Sequence, residues 1–204
     1  LVIAALLEAI RHRPVEWRYW SLAWASGIVV ALGLAVRDGQ LGAIAIAFLG
    51  LGFITQILGD VWVLKRQPHP ANWRASWHGI PLVYAGIGLV LGHYGFAEPY
   101  SAASSSGLQV DTGLYTVFAA VIAMGVGRRK LPLRPLSYIG LVALSVGAYE
   151  LVIYQLMQAS GGKPGDGVTI LAGVALAIAV SLILFRPWLI RFGHLSREGL
   201  SLVS

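Results

Sequence analysis

Six apolar runs, each close to the length of a bilayer crossing, leave this chain few folds to choose from. They are Trp17–Val36, Leu41–Leu64, Ala75–Phe96, Thr112–Val126, Pro135–Gln158 and Gly167–Ile190. Crossing the hydrocarbon takes about 20 apolar residues in a helix. A helix also satisfies its own backbone N–H and C=O groups where no water can. The fourth run is short, and its start is expected further upstream. Breakers separate the runs: RDGQ, KRQPHPANWR, EPYSAASSSGLQVD, GRRKLPLRP and SGGKPGDG. The predicted fold is therefore all-α, a polytopic membrane helical bundle with six transmembrane helices in one domain, residues 1–204.

Composition points the same way. Only 12% of residues are charged and 57% are hydrophobic, with a mean hydropathy of +0.73. Water-soluble domains carry about 25% charged residues, so this chain cannot cover a water-facing surface. Cysteine is absent, which excludes disulfides, thiolate metal sites and cysteine nucleophiles.

The chain starts at Leu1 rather than Met, and the start is expected to be processed or truncated. Leu1–Ile10 would make about 15 Å of helix, too short to span. It reads as an interfacial helix or as the end of a spanning helix whose beginning is missing. The tail HLSREGLSLVS is expected on the membrane surface.

The net charge of +6 would suit nucleic acid if the basic residues shared one face. They follow the loops instead. Arg11, Arg13, Arg18, Lys65, Arg66, Arg74, Arg128, Arg129, Lys130, Arg134, Arg186, Arg191 and Arg197 all fall at one end of the alternating helices. Arg37 and Lys163 fall at the other, beside Asp38, Glu98, Asp111 and Asp166. Basic loops stay cytoplasmic, so both ends are expected on the cytoplasmic side of a plasma membrane, or the stromal side of a thylakoid. The expected partners are the lipid bilayer, with anionic lipid headgroups at the basic loops, and further copies or other chains in a homo- or hetero-oligomer. Trp17, Trp20, Trp62, Trp73, Trp77 and Trp188 sit at the basic end, as interface anchors do.

Polar groups inside the spans are the candidate sites. Glu150 lies well within SVGAYELVIYQLMQ, about 22 Å along its helix from Pro135. Charge there costs about 3 kcal/mol, so Glu150 must face the bundle, pair or take a proton. Tyr154 shares its face, Gln155 and Gln158 are close by, and His93 falls at a similar depth on the third span. The structural reading, a carboxyl holding helix register, outweighs a proton or cation relay, because relays show several acids at one depth. Gln56, Asp60 and His78 form a second group near the basic end. There an Asp60–His78 or Asp60–Arg74 pair would pin the hairpin of spans two and three.

Small residues mark candidate helix-packing positions: Gly88 and Gly92, then Gly173 and Ala177. Leu49 and Gly52 match Leu144 and Gly147 in spans two and five, a faint sign of an inverted repeat. No HExxH or GxSxG occurs. Ser104, Ser105 and Ser106 have no histidine near them in sequence, and GGKPGDG lacks the spacing of a phosphate loop. No catalytic residue, metal site or cofactor is predicted. A tetrapyrrole held singly by His78 or His93 is the only cofactor route the residues offer.

The stretch YELVIYQLMQASGGKPGDG, with the six-run pattern, resembles a segment of large uncharacterised polytopic membrane proteins of cyanobacteria. The resemblance covers about half of the chain, mostly spans five and six. It implies a membrane setting and brings no activity and no site residue. The sequence thus leaves open a structural or signalling membrane module of a larger protein or complex, a secondary transporter or ion pathway using Glu150, and a pigment- or lipid-binding subunit. It points away from an enzyme.

Overall fold

A computed structural model describes residue 11 and residues 15–37, 41–65, 74–97, 112–158 and 164–193. Every described element is helical. In chain order these are α1 (Val15–Arg37), α2 (Leu41–Leu58), α3 (Ala75–Ala97), α4 (Thr112–Gly127), α5 (Arg134–Gln158) and α6 (Pro164–Gly193). A π-helical segment, Gly59–Lys65, continues α2, and a 3₁₀ turn, Leu131–Leu133, leads into α5. The expected Leu1–Ile10 helix, any upstream start of α4 and the tail lie outside the described residues.

Five helices are long and apolar enough to cross a membrane, and α4 is a shorter apolar one. The chain therefore folds as an all-α bundle of the multi-pass membrane type. Its 16 residues give α4 about 24 Å of helix, less than the roughly 30 Å hydrocarbon core. Helix α4 packs mainly on α5 and α3 and leaves Leu114, Phe118 and Val121 exposed on its outer face.

Small residues set which helices meet. The densest pairings are α4 with α5, then α2 with α3 and α3 with α4. Gly113 of α4 and Gly147 of α5 face each other: a Cβ on Gly113 would lie 2.6 Å from the Gly147 carbonyl, and one on Gly147 3.0 Å from the Gly113 carbonyl. Gly140 meets the Ala120 carbonyl in the same way, at 2.8 Å, so α4 and α5 run backbone against backbone. Gly88 receives Leu49 and the Ala45 carbonyl of α2 at 2.7 and 2.9 Å. Gly92, one turn on, receives the Tyr115 ring of α4 at 2.6 Å. The two glycines thus serve different neighbours. Gly173 meets nothing within 4 Å, and Ala177 is exposed.

The helices α1 and α6 flank this four-helix core. A cluster of Ile44, Phe48, Ile80 and Tyr84 takes Tyr19, Trp20 and Ala23 of α1 against it. The Tyr84 hydroxyl donates to the Ala23 carbonyl, and Ser26 bonds the same hydroxyl at 2.9 Å. At the start of α3 the Ser76 N–H donates to the Glu16 carboxylate, satisfying one of the four open N–H groups of a helix N-terminus. Helix α6 docks on α5 mainly through Leu189 against Leu141, with Met124 and Tyr138 alongside.

An inverted repeat would make α5 bear on α6 as α2 bears on α3. Instead Gly52 packs on Pro81 and Ala85 of α3, whereas Gly147 packs on α4. The matched residues do equivalent work against non-equivalent neighbours, so the packing carries no sign of the repeat.

Candidate functional site

Two polar clusters lie at opposite ends of the core. The first gathers where α2, α3 and the end of α4 meet. Arg129 follows α4 directly, in the turn that closes with Arg129 N–H on the Val126 carbonyl at 3.1 Å. Its guanidinium points back into the bundle with only 2% of the side chain exposed. Nε donates to Asp60 Oδ1 at 2.7 Å, and Nη2 donates to the Gln56 carbonyl at 2.8 Å. Nη1 donates to the Trp77 carbonyl at 2.5 Å and lies 3.3 Å from His78 Nδ1.

These acceptors have local causes. Pro81 sits inside α3 and has no N–H, so the carbonyl four residues earlier, Trp77, loses its helical donor. Arg129 replaces it. Gln56 lies where the α-helix gives way to the wider π-helical turn, a geometry often found at functional sites. A guanidinium only donates, so His78 Nδ1 accepts and the ring carries its proton on Nε2. Burial lowers the Arg129 pKa and the Asp60 carboxylate beside it acts in the opposite sense. The group stays charged, since a guanidinium is not deprotonated in proteins.

Asp60 therefore pairs with neither His78 nor Arg74. Its second oxygen takes Arg128 Nη2 at 2.9 Å and Gln56 Nε2 at 3.2 Å. Arg129 gives Asp60 one N–H from Nε while its other nitrogens bond the Trp77 and Gln56 carbonyls, so the same rigid group pairs the charge and ties two helices. Loop position alone suggests that Arg128 and Arg129 are cytoplasmic cations. A carboxylate within the second span and the proline four residues after Trp77 are the sequence signals that one of them turns inward.

The second cluster lies toward the other end and joins α3, α4 and α5. Glu150 Oε1 is 3.1 Å from His93 Nε2, and Oε2 accepts from the Thr116 hydroxyl. His93 Nδ1 is 2.9 Å from the Leu89 carbonyl. The side chains of His93 and Glu150 are 39% and 26% exposed. Both ring nitrogens of His93 are thus engaged by the protein. Tyr154 continues α5 one turn beyond Glu150, and its side chain lies outside what is described. Thr116 was not singled out in the sequence, where a lone threonine in an apolar helix reads as bonded to its own backbone.

Among the described residues no group of three or more His, Cys, Asp or Glu could hold a metal ion. The clusters instead do what membrane-buried polar groups do most often: they tie helices together. Glu150→Gln keeps an acceptor for Thr116 and an amide donor for His93. It is expected to change stability by about 1 kcal/mol or less, while Glu150→Leu, which leaves both partners open, costs more. Thermal unfolding of the two variants in one detergent checks the order.

Comparison with protein-family models, with curated proteins and with solved structures found no match to this chain. What the fold and its sites define is a class, a multi-pass α-helical membrane bundle knotted at each end by a polar cluster.

Proposed function

We propose that this chain is a structural membrane module of a larger protein or assembly, with its basic loops and both ends on the cytoplasmic or stromal side. The contrast between inner and outer helices carries the reading. Helices α2 to α5 direct most of their close glycine contacts, and both polar clusters, at one another. Helices α1 and α6 are barely covered: 6% of the most apolar window of each is buried, against 44% for α3. Leu176, Ile183, Leu184 and Phe185 of α6 are 60% exposed or more. Such faces suit lipid, and they also suit neighbouring transmembrane helices. Gly173 and Ala177 would let a helix approach closely.

The test is the mass of the particle extracted in mild detergent. The module reading expects more than one polypeptide per particle, and single chains once Gly173 and Ala177 are both replaced by tryptophan. Single chains from the unaltered protein contradict it. Anionic lipid headgroups are the proposed companions of the basic end, where Arg128 is half-exposed. The cyanobacterial resemblance supports a plasma or thylakoid membrane as the setting.

A second reading, a proton or ion pathway using Glu150, is favoured by the 3.1 Å His93–Glu150 contact. Proton-coupled flux in proteoliposomes that Glu150→Gln abolishes would establish it. No flux from the unaltered protein removes it.

A further inference from the structure

We infer that His93 and Glu150 together form a proton-binding site, holding one proton between Nε2 and Oε1 in the assembled bundle. The inference goes beyond the module reading and does not depend on it. The deciding atom is the Leu89 carbonyl. It can only accept, and it lies 2.9 Å from His93 Nδ1, so Nδ1 must carry a hydrogen. That leaves Nε2 with two states: a bare lone pair on a neutral ring, or N–H on an imidazolium.

Nε2 faces Glu150 Oε1 at 3.1 Å. A bare Nε2 against an ionised carboxylate would place two lone pairs in contact with no hydrogen between them. The contact therefore needs one proton, either as O–H donating to Nε2 or as N–H donating to the carboxylate. Both forms have the same proton count and no net charge, which suits a pair in low dielectric. The Thr116 hydroxyl donates to the other oxygen, Oε2, so it cannot supply the missing hydrogen. The Thr116 oxygen also lies 3.4 Å from the Thr112 carbonyl, but its single hydrogen goes to the closer acceptor.

No other described charge competes for this proton. The nearby ionisable groups on the three helices are the phenols Tyr94, Tyr115 and Tyr149, with Tyr154 one turn beyond Glu150 on α5. The remaining ionisable residues on these helices are His78, Tyr84, Arg134 and Tyr138, with Lys130 and the Arg128–Arg129 turn beside them, all toward the basic end. Removing the proton would leave a net negative charge and two facing acceptors, and would open the His93–Glu150 bond between α3 and α5. Proton release and the α3–α5 contact are thus one event.

The experiment uses the full chain in lipid nanodiscs, with ¹⁵N-histidine labelling and infrared detection of carboxyl groups. At neutral pH the site predicts a protonated His93 Nδ1. It also predicts either a protonated-carboxyl band that Glu150→Gln removes or an imidazolium signal that His93→Gln removes. An alkaline step should release one proton per chain at this site, and neither variant should release it. A neutral ring protonated only on Nε2, beside an ionised Glu150, overturns the inference. So does a proton release that survives Glu150→Gln. Should a variant fail to fold, the labelled wild-type spectrum alone decides between these outcomes.

Discussion

Replacing Arg129 by leucine is expected to cost about 3–5 kcal/mol, the usual effect of removing one partner from a buried ion pair. The loss has several sources. Asp60 keeps only Arg128, whose side chain is 46% exposed, and Gln56. The Trp77 and Gln56 carbonyls lose their donor. Each buried acceptor left open costs about 1–3 kcal/mol. Lysine should recover little, because a single ammonium cannot reproduce the flat fork that reaches four acceptors at once. The proline supplies an internal control. Pro81→Ala restores an N–H that can bond the Trp77 carbonyl, so Arg129→Leu should cost less in that background than alone. Equal costs in both backgrounds, measured by thermal or denaturant unfolding in detergent, would mean that the carbonyl contact contributes nothing.

Gly113→Leu is expected to be comparably severe, at about 3 kcal/mol or more, the upper part of the range for overpacking. Its Cβ would lie 2.6 Å from one backbone carbonyl and 2.7 Å from the Leu151 nitrogen, and backbone cannot swing aside as a side chain can. Helices α4 and α5 would have to separate along the crossing and take Glu150 away from Thr116. Gly92→Leu should be milder, because what it meets is the Tyr115 ring, held by its own χ angles. An order of severity reversed between these two variants would place the close helix contact elsewhere.

These two sites also show what the sequence makes legible. Spans, their alternation and the polar residues that need partners are readable, because hydropathy and charge act locally along the chain. Glu150 had to find a polar neighbour, and His93 at matching depth was the available one. Partner choice is less legible where it depends on helix rotation. Asp60 met Arg129 where a proline on α3 opens the Trp77 carbonyl and the Gln56 carbonyl of α2 lies within reach, a coincidence of three segments. Packing glycines divide in the same way. The GxxxG pair at Gly88 and Gly92 stands out by spacing, whereas Gly113 and Gly147 lie on different helices and share no pattern. Gly173 and Ala177 have the spacing, yet their surface faces away from the core.

The central claim, a multi-pass membrane bundle with its two polar ends on opposite sides, is tested most directly by cysteine labelling. The chain has no cysteine, so single introduced thiols report cleanly. Arg128→Cys, exposed at the basic turn, and Ser104→Cys, in the third connection, are each treated with a membrane-impermeant maleimide in sealed vesicles of known orientation. The account predicts labelling of Arg128→Cys only from the cytoplasmic side and of Ser104→Cys only from the opposite side. Labelling of both from the same side would contradict it.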